Sequence, residues 1–267
     1  MTSSDAPTPS PRRRLRWLAG PIVLLFGLYS AGWFYLAEHV RAEADKTVTD
    51  MAGNGVAAAC ANLTITGYPL SFNISCDALA YQDNARNIAA STGSLNAVAT
   101  IAQPLSPIAD VRGPLRTSVP GMPPLWIDWD NLQAKVKLGW QVPALVSLRA
   151  EGLSGQTDPA DDSDPVELFS AGKAAGELSP NGQDIDYVGS FTDLEIDPVA
   201  IGGRVLPPLD GHGDATLKNG LLLLKTELTG LRGQALDIRK LDVSSGKARI
   251  TVSGPVSVDE NGLIDAE

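Results

Sequence analysis

Two thiols, two imidazoles and one cluster of carboxylates are the side chains in this 267-residue chain whose types and spacing offer chemistry. The imidazoles stand apart. His39 follows an apolar run, where it reads as an interfacial residue, and His212 lies in "DGHGD", which reads as a turn; neither has a metal-ligand companion at useful spacing. Asp158, Asp161, Asp162 and Asp164 in "TDPADDSDP" offer hard oxygen ligands of the kind calcium takes. Their spacing is not that of an EF-hand loop, and Pro159 and Pro165 stiffen the segment, so a solvated acidic loop is expected. No nucleophile elbow, P-loop or dinucleotide fingerprint occurs, and Gly172-Lys173 lacks the upstream glycine of a phosphate cradle. Trp126 and Trp129 in "PPLWIDWDN" are candidates for the edge of a ligand mouth or for anchors of sheet packing. These residues assign no catalytic group, no metal and no cofactor, and the chain is read as not an enzyme.

The thiols are more informative. In "GYPLSFNISC" a Gly-aromatic-Pro turn precedes Leu70, Phe72, Ile74 and Cys76, which alternate with Ser71, Asn73 and Ser75. Period two is a strand with one buried face, and Cys76 belongs to the apolar side. Cys60 lies sixteen positions earlier, after what reads as a short helical turn. Outside the cytoplasm such a pair reads as a disulfide, which over this loop contributes ~3 kcal/mol in the chain-entropy model; two free buried thiols are the alternative.

The compartment is argued from charge. Residues 1–16 carry net +3, from Arg12, Arg13, Arg14 and Arg16 against Asp5, and the remainder carries −13 of the overall −10. So acidic a body repels nucleic acid, which is excluded as a partner. Trp17 to Ala37 is a 21-residue run without a charge, flanked by Trp17 at one end and Trp33, Phe34 and Tyr35 at the other. Such a helix is ~31 Å long, about one hydrocarbon core, and aromatic residues favour both interfaces. The arginine flank places the N-terminus in the cytoplasm and the body outside, which in a Gram-negative bacterium is the periplasm, with the inner membrane as a partner. A cleaved signal peptide ending near Ser30-Ala31-Gly32 and a buried soluble helix are the alternatives. Val40, Ala44, Val48 and Met51 make one helical stripe, so a helix is expected over 38–51 with Gly53-Asn54-Gly55 as its breaker. The expected organisation is a disordered basic tail (1–16), a transmembrane anchor (17–37), a juxtamembrane helical segment (38–59) and a β-rich periplasmic domain (60–267).

Beyond Cys76 the apolar residues alternate in short runs: Leu95 to Ile101, Leu132 to Trp140, Val146 to Ala150 and Ala248 to Val258. A parity switch between Phe191 and Leu194 suggests a bulge. Asn219-Gly220 between apolar runs predicts a hairpin, and Asn261-Gly262 another turn. Six prolines between Pro104 and Pro124 predict a loop or ragged edge, and "VELFSAGKAAGEL" reads equally as a short helix or a strand. The fold class expected is mainly β with an N-terminal helix: a long, mostly antiparallel sheet that curls, since long sheets twist.

The arginine-led anchor, outward helix, Cys60, Gly67-Tyr68-Pro69 turn, strand and Cys76 together resemble family 2125 of the domains of unknown function, an uncharacterised envelope family of alphaproteobacteria. The likeness covers residues 12 to about 265, with Cys60 to Cys76 its specific part. That family is distantly similar to the AsmA-like envelope proteins, whose long members form lipid-conducting β-grooves. Relatives run on past "DENGLIDAE", so the last strand is expected to be unpaired or absent here. The resemblance implies a membrane-anchored β-groove that binds phospholipid or another apolar envelope component. The alternative is a scaffold that binds an envelope protein. Candidates for the apolar face are Leu70, Phe72, Ile74, Leu132, Val136, Leu138, Trp140, Ile250 and Val252.

Overall fold

In the computed structural model, residues 11–53, 55–139, 142–159, 163–225, 233–259 and 263–266 are described. Trp140, Asp161, Asp162, Asn54, the Asn261-Gly262 turn and residues 1–10 of the expected tail lie outside them.

One helix, α1 (Pro11–Gly53), absorbs the apolar run and the stripe that follows it, and takes in residues 11–16 that were expected to be disordered. Pro21 is accommodated within it. The chain then forms β1 (Val56–Ala61) and β2 (Thr64–Thr66), so Cys60 sits in a strand and not after a second helical turn. Next come β3 (Ser71–Cys76), β4 (Ala78–Asp83), β5 (Ile88–Thr92), β6 (Leu95–Thr100), β7 (Gln103–Val111), β8 (Leu115–Ser118), β9 (Leu125–Asp128) and β10 (Asn131–Lys137). Longer strands follow: β11 (Leu145–Thr157), β12 (Glu167–Asn181), β13 (Asp184–Ile196), β14 (Leu209–Leu217), β15 (Ala235–Ser245) and β16 (Ala248–Val258). A short β17 (Ile264–Ala266) pairs with β16, so the last strand is present and paired. All pairings are antiparallel within a single sheet, curled into an open half-barrel.

The early strands are halves of longer ones. β11 pairs along one edge with β10 through Leu145–Glu151 and with β9 through Ser154–Thr157. From there the sheet continues as two rows, β10–β7–β6–β3–β2 and β9–β8–β5–β4–β1. The interruptions align across the meander at Asn62, Asp77, Gly93, Gly113 and Trp129, and reach β11 at Gly152. Gly152 has φ +62, and a side chain there would collide with the Asp130 carboxylate.

Two expectations of loop and hairpin are overturned. The proline-rich stretch contains strands β7 and β8, because the prolines sit where the chain detours from its neighbour. Thr100 pairs with Gln103 and Val98 with Ile108, so Pro104 and Pro107 fall in a bulge where no ladder donor is needed. Asn219, at φ 53, does not make a tight hairpin: it leads into α2 (Gly220–Lys225), and β14 meets β15 only after that excursion. The undecided "VELFSAGKAAGEL" is strand β12, and the parity switch is a register shift between Phe191 and Leu194.

Candidate functional site: an uncovered apolar floor

Paired residues of neighbouring strands share a face, so the register can be followed across the sheet. One rung runs Cys76, Leu95, Val111, Leu132, Ala150, Ala174, Phe191, Gly211, Val243, Ile250. The next on the same face runs Ile65, Ile74, Ala97, Ala109, Ala134, Leu148, Gly176, Gly189, Gly213, Leu241, Val252. A third crosses Val136, Val146, Leu178, Tyr187, Ala215 and Ile238. A fourth crosses Ile185, Leu217, Leu236 and Val256. The Tyr187 hydroxyl is the one polar side-chain group on these four rungs.

Between the first two rungs the opposite face reads Thr64, Ser75, Asn96, Asp110, Gln133, Arg149, Ala175, Ser190, His212, Asp242, Thr251. These are joined laterally: the Thr64 and Ser75 hydroxyls lie 2.6 Å apart, Gln133 Nε2 donates to Asp110 Oδ1 at 3.1 Å, and Thr251 Oγ1 donates to Asp242 Oδ1 at 2.5 Å. His212 is therefore mid-strand on the wet face, across from Asp242, and not in a turn. Arg239 is the extra residue of a bulge in β15 and reaches across that face to Asp186, Asp214 and Thr216. The Thr216 hydroxyl first, and Arg239 second, hold the Asp186 carboxyl below its ordinary range.

The apolar floor is not covered by other parts of the described chain over much of its extent. Ile250 remains 67% exposed and Leu148 46%. An open groove of ≈ 700 Å³ lies over it, between Val146, Leu178, Ile185, Tyr187 and Leu241, with Leu221 of α2 at one end. Gly213 lies on its floor, while the Tyr187 ring lies over Gly189 and beside Gly176. A second recess of ≈ 640 Å³ lies between α1 (Trp33, Leu36, Val40) and Phe72, Ile74, Ala97 and Ala99. At the other end of the strands a cleft of ≈ 730 Å³ is mixed in character, with Trp126, Asp128, Glu167, Glu195 and Asp197 on its wall. Trp126 edges that cleft beneath the Arg116 guanidinium, 4.3 Å from the ring centre. Trp129 serves packing, donating from Nε1 to Val111 O at 2.8 Å.

The apolar-face candidates are placed as follows. Phe72, Ile74, Leu132, Val136, Ile250 and Val252 lie on the floor side. Leu138 lies past the end of β10 and edges the α1 recess. Leu70 does not share the strand: β3 begins at Ser71, and Leu70 is 72% exposed at its turn. Absent from the candidates but central to the groove are Leu178, Leu217, Leu236 and Leu241. Their signal was masked by the Ala/Gly content of β12 and by the bulge in β15, which shifts the parity between Ile238 and Leu241.

α1 meets the sheet at the Gly67-Tyr68-Pro69 turn. Tyr68 sits among Phe26, Tyr29, Trp33 and Phe34 with ring centres 5.4–6.5 Å away. Ser30 Oγ is 2.6 Å from Tyr68 Oη, and Trp33 Nε1 donates to Ser71 O at 3.2 Å. Cys60 and Cys76 stand at disulfide distance, with Cα atoms 5.4 Å apart. In a flat ladder Cys76 would oppose residue 63, some ~10 Å along the strand from Cys60. The left-handed bend at Asn62, φ 53, closes that gap.

Among the described residues no three of His, Cys, Asp and Glu gather as metal ligands. Asp158 faces Arg116 at 3.8 Å, and Asp164 is exposed. Among the described residues one helix is long and apolar enough to cross a membrane, over Gly20–Gly53 near the N-terminus. No curated protein and no solved structure matches the chain. A family model does match, over residues 33–267, and the chain belongs to that family, described as an uncharacterized protein conserved in bacteria (DUF2125).

Proposed function

We propose that this protein is a non-catalytic, single-pass protein of the bacterial inner membrane, N-terminus in the cytoplasm, whose periplasmic half-barrel binds lipid acyl chains on its concave face. The observation that carries the reading is the apolar floor: four consecutive rungs, apolar but for the Tyr187 hydroxyl, with an open groove of ≈ 700 Å³ along the third and fourth. Monomeric soluble proteins rarely leave so large a contiguous patch uncovered. Covering one exposed Leu or Ile contributes ~1.5–3 kcal/mol, so an apolar ligand laid along the groove gains from several at once. The polar outer face offers nothing comparable. A likeness to the AsmA-like group and an alphaproteobacterial origin are part of this proposal, the former by architecture alone.

The test is lipid retention by the full chain purified in detergent, read by native mass spectrometry. The wild type and an outer-face variant, Thr251→Arg, are expected to carry phospholipid, and Leu241→Arg to lose most of it. Equal lipid on all three, or none on the wild type, sinks the reading; a protein bound in its place favours the scaffold alternative.

A further inference from the structure

The spanning run of α1 and its contact with the sheet overlap. The charge-free run is residues 17–37, and Tyr68 packs against Phe26, Tyr29, Trp33 and Phe34 within it. At ~1.5 Å per residue those contacts lie ~5 to ~16 Å inside the outer end of the run. A run that fills a hydrocarbon core of ~30 Å therefore draws the turn at Tyr68 below the membrane surface.

The neighbours of that turn suit such a place. β3 and β10 meet this end of the sheet at their start and finish, and exposed here are Leu70 (72%), Ile101 (52%) and Leu138 (45%) in connections, Leu105 (62%) in the bulge of β7 and Leu222 (54%) on α2. Four of them are joined in pairs, since Ile101 N donates to Leu70 O at 3.2 Å and Leu138 N donates to Leu105 O at 2.8 Å, and Ile101 and Leu138 edge the same recess. Tyrosine, leucine and isoleucine side chains projecting below the membrane surface are the arrangement of interfacial insertion, which reaches ~5–10 Å into the acyl boundary. The opposite end also exposes Val199 and Val205, but Val205 lies there beside Glu167, Glu195 and Asp197, and the ring contacts of the charge-free run are at the Tyr68 end.

We infer that this end of the half-barrel is seated in the outer leaflet, with the bilayer as its occupant. The groove lined by Val146, Leu178, Ile185 and Leu221 reaches the same end, so it opens onto acyl chains and not onto water. A lipid then slides from leaflet to floor without exposing its tail. The inference rests on the anchored reading and extends it by fixing which part of the sheet meets the membrane.

The experiment uses the full chain in vesicles of phosphatidylethanolamine and phosphatidylglycerol. The two native cysteines are joined, so Leu70→Cys, Leu105→Cys and Val205→Cys each provide one thiol for an environment-sensitive dye. Spin-labelled lipids are expected to lower emission about twofold or more at 70 and 105, with a blue shift, and to leave 205 unchanged. Alkaline carbonate extraction is run in parallel. Release of the chain from the vesicles overturns the anchor and this inference together. Retention with 70 and 105 quenched no more than 205 overturns this inference alone, as does a blue shift without quenching, the mark of a protein cover. All three substitutions replace exposed side chains, and a wild-type circular dichroism spectrum confirms each fold.

Discussion

Tyr187 lies across Gly189, two residues further along the same strand, and its ring occupies the space that a Cβ at 189 would need. Phe191 covers Gly211 and Phe169 covers Gly155 in the same way. An aromatic ring over a strand glycine shields backbone that has no side chain of its own. Gly189→Ala must displace the Tyr187 ring, and overpacking of this kind costs ~1–3 kcal/mol. Gly213→Ala is the contrast, since a Cβ there meets only Leu241 Cδ1 at 3.6 Å, an ordinary contact. Urea denaturation is expected to show a lower midpoint for Gly189→Ala and a near-wild-type one for Gly213→Ala; equal losses would refute the ring-over-glycine account.

Cys60 and Cys76 tie the two rows of the sheet where Asn62 bends the chain. Replacing both with alanine removes a cross-link over a sequence separation of 16. The expected loss is ~3 kcal/mol, read as a lower unfolding midpoint under non-reducing conditions. Dithiothreitol should lower the wild-type midpoint to a similar degree and leave the variant unmoved. A wild type indifferent to reductant would show that the thiols are free.

Asp83 is 1% exposed, and its Oδ1 accepts from the amides of Ala85 and Arg86, each at 3.0 Å, while Oδ2 accepts from Arg86 Nη1 at 2.8 Å. The Arg86 side chain first, then its amide, holds the carboxyl below its ordinary value of 3.8. A depressed folded-state value means the contribution is present above the unfolded value and lost as pH falls through the folded one. Asp83→Asn keeps an acceptor for the turn but not the charge. Its melting temperature should fall below wild type at neutral pH and converge on it below pH ~4. A constant gap across that range argues that the charge contributes nothing.

Alternation and the cysteine pair made the antiparallel sheet, its curl and the strand β3 legible, because each follows from side-chain period, whereas β1, β4 and β5 carry no such alternation. What stayed hidden depends on partners. Pro104 and Pro107 look like loop residues until β6 is seen to let them bulge. Asn219-Gly220 carries the same local signal whether a hairpin or a helix follows, and the four leucines after it begin α2 instead of a strand. The groove was the least legible feature. One of its rungs passes through Gly176, Gly189 and Gly213, three residues with no hydrophobic signature, brought side by side only by register. Its far wall passes through a bulge that breaks the period at Arg239.

That bulge carries the last prediction. Arg239 donates to Asp186 Oδ1 at 2.9 Å, to Thr216 Oγ1 at 2.6 Å and to Asp214 Oδ1 from Nε at 2.8 Å, tying β13, β14 and β15 together on the polar face. Arg239→Leu leaves two carboxylates facing each other without a cation. Asp186 titrates below the ordinary range in the wild type, so the stabilisation is present at neutral pH and lost as pH falls through its lowered value. The variant is expected to melt lower than wild type at pH 7 in low salt. The deficit should shrink at acid pH, as the carboxylates protonate, and in 1 M salt, where the Debye length is ~3 Å. The floor residues Ile238 and Leu241 keep their partners Ala215 and Gly213 in either case, so lipid retention should not change. A deficit insensitive to pH and salt would assign the bulge's contribution to its backbone geometry and not to the bridge.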